Sequence, residues 1–176
     1  MKYIDELIRS MEWLSEKDDT IFLGQSVSYS GNAIYNTLNT LPEEKRLELP
    51  VFEEIQMGMS TGMAMNGLVP ISCFPRFDFF MRCMDALVNH LDKMQNMTEE
   101  TFKPKVIMRT SIGSSTPLNG GVQHTQDYTK MMKDILNEVN VVLLNEPEEI
   151  FPTFEKAYKR EGSSLIVERG DYYNEK

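Results

Sequence analysis

The sequence predicts an α/β fold: a single three-layer α/β/α domain over residues 1–176, built around a mainly parallel sheet. Two observations carry this reading. Short continuous apolar runs alternate with segments of helical period, as they do when connecting helices bury both faces of a parallel sheet. The chain has 176 residues, 41% hydrophobic and 26% charged, enough for one full core and too few for two ordinary domains.

The elements follow in order. Ile4, Leu7, Ile8, Met11 and Leu14 recur at helical spacing and open the chain with an amphipathic helix. Thr20 to Leu23 is an apolar run broken at Gly24, suited to a buried parallel strand. A polar segment from Gln25 to Asn32 leads to a short helix around Ala33–Leu38. Leu49–Phe52 reads as a second strand running straight into a helix over Glu53–Met65. Glycine costs about 1 kcal/mol relative to alanine inside a helix. Gly58 and Gly62, with Ser60, Thr61 and Ala64, therefore predict a helix packed closely on its neighbours. Val69–Phe74 is the third strand, and Met81, Met84, Leu87, Val88, Leu91 and Met94 form a helical stripe. Further strands are predicted at Lys105–Arg109, Val139–Leu144 and Ser164–Val167. Between the last two lies a helix with Ile150, Phe151, Phe154, Ala157 and Tyr158 on one face. Pro147 and Pro152 crowd its start, so it either begins near Ile150 or is kinked.

Composition excludes several functions. A formal net charge of -9 argues against tracking nucleic-acid phosphates, which needs clustered Lys and Arg, and against an anionic membrane surface. No apolar run approaches the roughly 18–20 residues that span a bilayer, and the N-terminus, MKYIDELIRSMEW, lacks a secretory pattern. Cys73 and Cys83 read as reduced core residues of a cytoplasmic protein. Two His and two separated Cys give no zinc-site spacing. GxxxxGK[ST], the dinucleotide glycine fingerprint and the GxSxG elbow are all absent.

In a parallel α/β sheet ligands bind at the carboxyl ends of strands, and two stretches there stand out. In Pro50-Val51-Phe52-Glu53-Glu54 a strand hands over to a helix at a carboxylate. On local pattern alone Glu53 is explained by the preference for acids in a first helical turn, worth roughly 0.3–1 kcal/mol. The second is TSIGSSTPLNGGVQHTQ, Thr110 to Gln126, a 17-residue segment with three aliphatic side chains. Loops beyond about 12–15 residues are uncommon in compact domains and tend to be functional or disordered. This one carries His124, one of two histidines; a lone His is more often a surface or satisfied residue than a catalyst. His90 lies beside a helix stripe. Phe74-Pro75-Arg76-Phe77-Asp78-Phe79-Phe80 places four Phe in seven residues, too many for one helix face, so at least one is left for another contact.

Taken together and in order, FLG at Gly24, PVFEE and its Gly-rich helix, FPRFDFF, DALVNHLDK, KVIMR, VQHTQ, VVLLNEP and SLIVERGDYY form a recognisable pattern. It resembles the beta subunits of pyruvate and branched-chain 2-oxo acid dehydrogenases, in the transketolase-like superfamily. The resemblance implies the thiamine-diphosphate-binding fold of pyrimidine-binding type, with thiamine diphosphate as cofactor. It implies that Glu53 hydrogen-bonds the aminopyrimidine nitrogen, promoting the imino tautomer that deprotonates the thiazolium carbon. Phe79 would stack on the ring with Phe77 close by, Gln25 would lie beside the cofactor, and His124 would polarise the substrate carbonyl. Gln25 and Ser26 stand where the family commonly has acids, and Pro75 and Arg76 are atypical. The family's C-terminal domain is missing from this sequence. The domain holding the diphosphate and Mg2+ is missing too, so the resemblance implies a separate diphosphate-binding subunit in a two-plus-two heterotetramer. The substrate would be a 2-oxo acid or a ketose. A split transketolase-type ketol transferase and a non-catalytic structural or regulatory subunit are the alternatives.

Overall fold

The computed structural model describes residues 1–116 and 119–173. Six strands form one all-parallel sheet in the order β2-β1-β3-β4-β6-β5: β1 (Thr20–Gly24), β2 (Arg46–Glu48), β3 (Val69–Phe74), β4 (Ile107–Ile112), β5 (Asn140–Leu143) and β6 (Ser164–Arg169). Helices α1 (Tyr3–Ser15) and α6 (Pro147–Lys159) cover one face. The other is covered by α2 (Glu53–Met65), α3 (Phe77–Phe80) and α5 (Thr129–Ile135), with α4 (Met94–Met97) following a π-helical segment, Ala86–Leu91.

Strands β3 to β6 feed both layers because their side chains alternate. Ile107 and Ile166 join Leu7, Met11 and Phe154 in one core; Met108, Leu165 and Val167 join Met57, Phe80 and Leu87 in the other. Into the first core the sheet also sends Arg109, wholly buried with Glu168. The guanidinium donates through Nε at 2.6 Å and through its second terminal nitrogen at 3.0 Å, and also to Thr37 Oγ1 at 3.1 Å. The Tyr173 hydroxyl donates to the same carboxylate. Burial alone would disfavour the Arg109 charge, but the Glu168 carboxylate more than restores it.

Four expectations need correction. The second strand is Arg46–Glu48 rather than Leu49–Phe52: the Leu49 N–H makes the last bond, to the Gly24 carbonyl at 2.9 Å, and Pro50 has no N–H to continue. The Met81–Met94 stripe is broken into a 3-10 turn (Met81–Cys83) and the π segment, after which the buried Asp92 carboxylate accepts the N–H groups of Asn137, Glu138 and Val139. The helix carrying Phe154 begins at Pro147 as N1 and runs through Pro152; the Glu149 carboxylate accepts the Glu146 N–H at 3.2 Å. Ser60, Thr61 and Ala64 of α2 are buried, yet a Cβ added at Gly58 or Gly62 would meet nothing within 4 Å. The close packing inferred from those glycines is not made among the described residues.

Both cysteines are free and buried, and burial pushes the Cys73 thiol up to about 11. No helix among the described residues is long and apolar enough to cross a membrane.

Candidate functional site

β1 connects to β2 on one side of itself and β3 connects to β4 on the other, so the direction of the chain across the sheet reverses between β1 and β3. A crevice opens at the carboxyl ends of strands flanking such a switch point. Here the two strand ends are drawn tightly together. Gly24 has φ of +146°, and the Cys73 carbonyl occupies the place a Cβ would take.

Gln56, 2% exposed, sits over this junction. Its amide donates to Ser72 Oγ and to the Cys73 carbonyl, each at 3.0 Å, and reaches the Leu23 carbonyl at 3.5 Å. One turn earlier Glu53 is the first residue of α2, aimed inward with 4% exposure. Pro50 ends β2, the exposed Val51 and Phe52 make the turn, and Gln56 ties the new helix to the sheet. The Glu53 carboxylate is therefore held at a fixed place by the strand ends it follows.

Oε2 of Glu53 is buried and has no hydrogen-bond partner among the described residues. Arg82 Nε approaches it to 3.4 Å as an ion pair without hydrogen-bond geometry, from a side chain 68% exposed. A buried acceptor without a donor is costly, so such an atom calls for a partner.

The Phe-rich turn divides as its spacing demands. Phe74, Phe77 and Phe80 are wholly buried. Phe77, expected beside Phe79 in the site, instead meets Phe80 and Tyr128 at centroid distances of 5.9 and 5.6 Å. Two residues apart on a helix, the two rings point to opposite sides. Phe79 is the ring left out, 38% exposed, edge-on to His124 at 5.4 Å and 86°. Nδ1 of His124 is also buried and without a hydrogen-bond partner. Phe79 and Arg82 lie on one short stretch of chain, which thus faces His124 at one end and Glu53 at the other.

The loop carrying His124 is anchored rather than loose; Pro117 and Leu118 within it lie outside the described residues. Gly113 has no room for a Cβ because the His124 carbonyl fills that space, with the Arg76 side chain alongside. The Asp171 carboxylate accepts the N–H of Ser115 at 2.7 Å, the hydroxyl of Ser114 at 2.9 Å and the N–H of Thr116 at 3.2 Å. Partial burial favours its protonated form, but these donors prevail and hold it below the usual carboxylate range. Gln25, half-buried after Gly24, accepts from Asn32 Nδ2 at 3.4 Å through its carbonyl. The next three N–H groups, Ser26 to Ser28, converge on the Glu48 carboxylate at 2.6–2.9 Å.

Sequence reasoning missed Gln56, Arg82, Glu48 and Asp171. Gln56 was findable as a polar residue one turn after Glu53 on the face that α2 buries. Arg82 had no signal, since it meets Glu53 only after the chain turns between α3 and the π segment. Among the described residues no group of three or more His, Cys, Asp or Glu is placed to hold a metal ion.

Comparison with known proteins gives this arrangement its context. The family model for the transketolase pyrimidine binding domain matches residues 9–174. The mitochondrial pyruvate dehydrogenase E1 component subunit beta of Saccharomyces cerevisiae is 31% identical over 121 residues, which is 67% of this chain and 32% of that protein. The 2-oxoisovalerate dehydrogenase subunit beta of Bacillus subtilis is 25% identical over 130 residues, 72% of this chain and 39% of that protein. The matched part of the chain thus spans 32–39% of the length of these relatives. Among solved structures, a split gene transketolase in its inactive beta4 tetramer superposes with a TM-score of 0.66 at 16% identity, covering 94% of this chain and 48% of that one. The family match takes in all six strands and the buried acid at the head of α2, and the chain belongs to the transketolase pyrimidine-binding domain family.

Proposed function

We propose that this chain is the pyrimidine-binding subunit of a two-component thiamine-diphosphate-dependent enzyme acting on a 2-oxo acid or a ketose. The observation that carries the reading is Glu53 Oε2, a carboxylate oxygen enclosed at the switch point of the sheet and left without a donor. That oxygen fits a heterocyclic nitrogen with which a proton is shared. The exposed face of Phe79 fits a flat ring, and Nδ1 of His124 offers a second unsatisfied polar atom beside it.

When bound, thiamine diphosphate supplies the electron sink for a carbanion next to a carbonyl. The chain's own residues do the rest. Glu53 presents Oε2 to a ring nitrogen with which it would share a proton. Phe79 sets the plane of the ring. His124 orients and polarises the carbonyl oxygen of the substrate. Gln56 fixes α2 so that Oε2 stays in register with both.

A second subunit holds the diphosphate and most of the contacts to Mg2+, within a two-plus-two heterotetramer. Support for that assembly comes from the outer face of α2 and the turn that leads into it. Val51, Phe52, Ile55 and Met65 are 64, 44, 50 and 60% exposed there, beside the uncovered Gly58 and Gly62.

The test is calorimetric titration of thiamine diphosphate, with Mg2+, into the chain purified with its diphosphate-binding partner. Magnesium-dependent binding that Glu53→Gln abolishes is the expected result. Tight binding indifferent to that substitution would refute the activating role and leave a non-catalytic subunit.

A further inference from the structure

We propose that Arg82 is a positioning residue for Glu53, a counter-ion that governs how firmly the carboxylate holds its proton and that yields when the cofactor ring arrives. This rests on the reading of Glu53 given above and adds to it a residue outside the motifs that point to the family. The two members of the pair are unlike. Glu53 is enclosed, with its side chain 5% exposed, whereas Arg82 is 68% exposed. The contact is an ionic approach of 3.4 Å with no hydrogen bond, so the guanidinium can swing into solvent without orphaning a buried donor.

The remaining charged or titratable groups around Glu53 do not compete. Cys83, on the same turn as Arg82, is buried and donates to the Phe80 carbonyl at 3.0 Å; burial raises its thiol, with the Glu53 charge adding, so it stays neutral. Glu54, next on α2, is exposed. Asp85 and His90, flanking and within the π segment, face each other at the surface at 3.8 Å. β1 and β3 present backbone carbonyls, the Ser72 hydroxyl and the neutral Cys73 thiol. Among the described residues Arg82 is the cation that pairs with Glu53.

A cation at this distance favours the ionised form of a carboxylate and opposes its neutralisation. Binding a ring nitrogen that shares a proton asks for the opposite state. Arg82 therefore works against uptake of the ring, and withdrawing its charge should favour that uptake.

The test uses the full chain labelled with 13C at glutamate carboxyls, the Glu53 resonance being the one lost in Glu53→Gln. Its titration midpoint should rise by about one pH unit in Arg82→Gln, the low end of the range for an adjacent opposite charge because the guanidinium is exposed. It should stay near wild type in Arg82→Lys and move less at ~1 M salt, where the screening length is ~3 Å. With the partner subunit present, thiamine diphosphate should bind Arg82→Gln about tenfold tighter at pH 7, one unit corresponding to a factor of ten. An unmoved midpoint in Arg82→Gln overturns the proposal. Cofactor binding absent from both chains while the midpoint still moves refutes the functional reading and leaves the contact standing.

Discussion

Replacing Gln56 by Leu removes one amide and little volume, and its consequences can be worked from the contacts. The Nε2 group donates to Ser72 Oγ and the Cys73 carbonyl at 3.0 Å, and more weakly to the Leu23 carbonyl at 3.5 Å. Gln56 is 2% exposed, so water cannot take over these bonds. Each buried polar group left without a partner costs about 1–3 kcal/mol. Two good bonds lost, partly offset by the added apolar side chain, give a destabilisation of roughly 2–4 kcal/mol. In a domain of this size each kcal/mol lowers Tm by about 2–4 °C, so a drop on the order of 10 °C is expected. Thermal melts followed by circular dichroism measure it, with Ser72→Ala as the partner substitution; the two losses should not add, because they share a bond. Glu53 lies one turn away on the same helix, so thiamine diphosphate affinity should fall alongside stability. A Tm within ~2 °C of wild type would refute the reasoning, and would mean that the packing of Met57 and Ala64, not the amide, sets where α2 begins.

Phe79→Ala, at an exposed ring, should leave the melting temperature unchanged and weaken thiamine diphosphate binding several-fold, about the 0.5–1.5 kcal/mol of an aromatic pair. Phe77→Ala, in the core, should instead cost about 3–5 kcal/mol of stability by urea denaturation. Glu168→Ala should cost a similar 3–5 kcal/mol, because it leaves the Arg109 guanidinium buried and unpaired, and pairing it with Arg109→Met should recover most of the loss. Asp171 titrates lower in the folded chain than in the unfolded one, so its anchoring of Ser115 and Thr116 is complete above ~pH 3.9 and is lost as pH falls through the lower folded value. NMR shifts of those two amides should follow that transition, and Asp171→Asn should abolish it.

What the sequence made legible depended on how local its cause is. Strands β1 and β3 announced themselves because both are buried on both faces and read as unbroken apolar runs. β2 did not: its residues Arg46, Leu47 and Glu48 are half-buried at the sheet edge, and two of the three are charged. α5 was hidden for a related reason, since one of its buried positions is Thr129 and too few apolar residues remain to show a period. The crowding of four Phe correctly required one ring to be free, yet which ring is decided by how α3 sits on β4 and Tyr128, and periodicity over four residues cannot say.

The same distinction runs through the site. Glu53 was readable because a strand stop, a turn and a helix start all lie within a few residues of it. The groups that give it chemical character come from elsewhere: Arg82 from 29 positions on, and the backbone acceptors under Gln56 from two other strands. Glu53 also illustrates why a local reading leaves two explanations standing. An acid favoured by the helix dipole and an acid kept for chemistry share the first helical turn. They differ in what surrounds the carboxylate. A dipole-stabilised acid gains nothing from being buried, and exposure is its normal state; the neighbouring Glu54 is the example. Glu53 is enclosed to 4%, with an oxygen that no donor among the described residues hydrogen-bonds, the circumstance in which a buried acceptor calls for a partner.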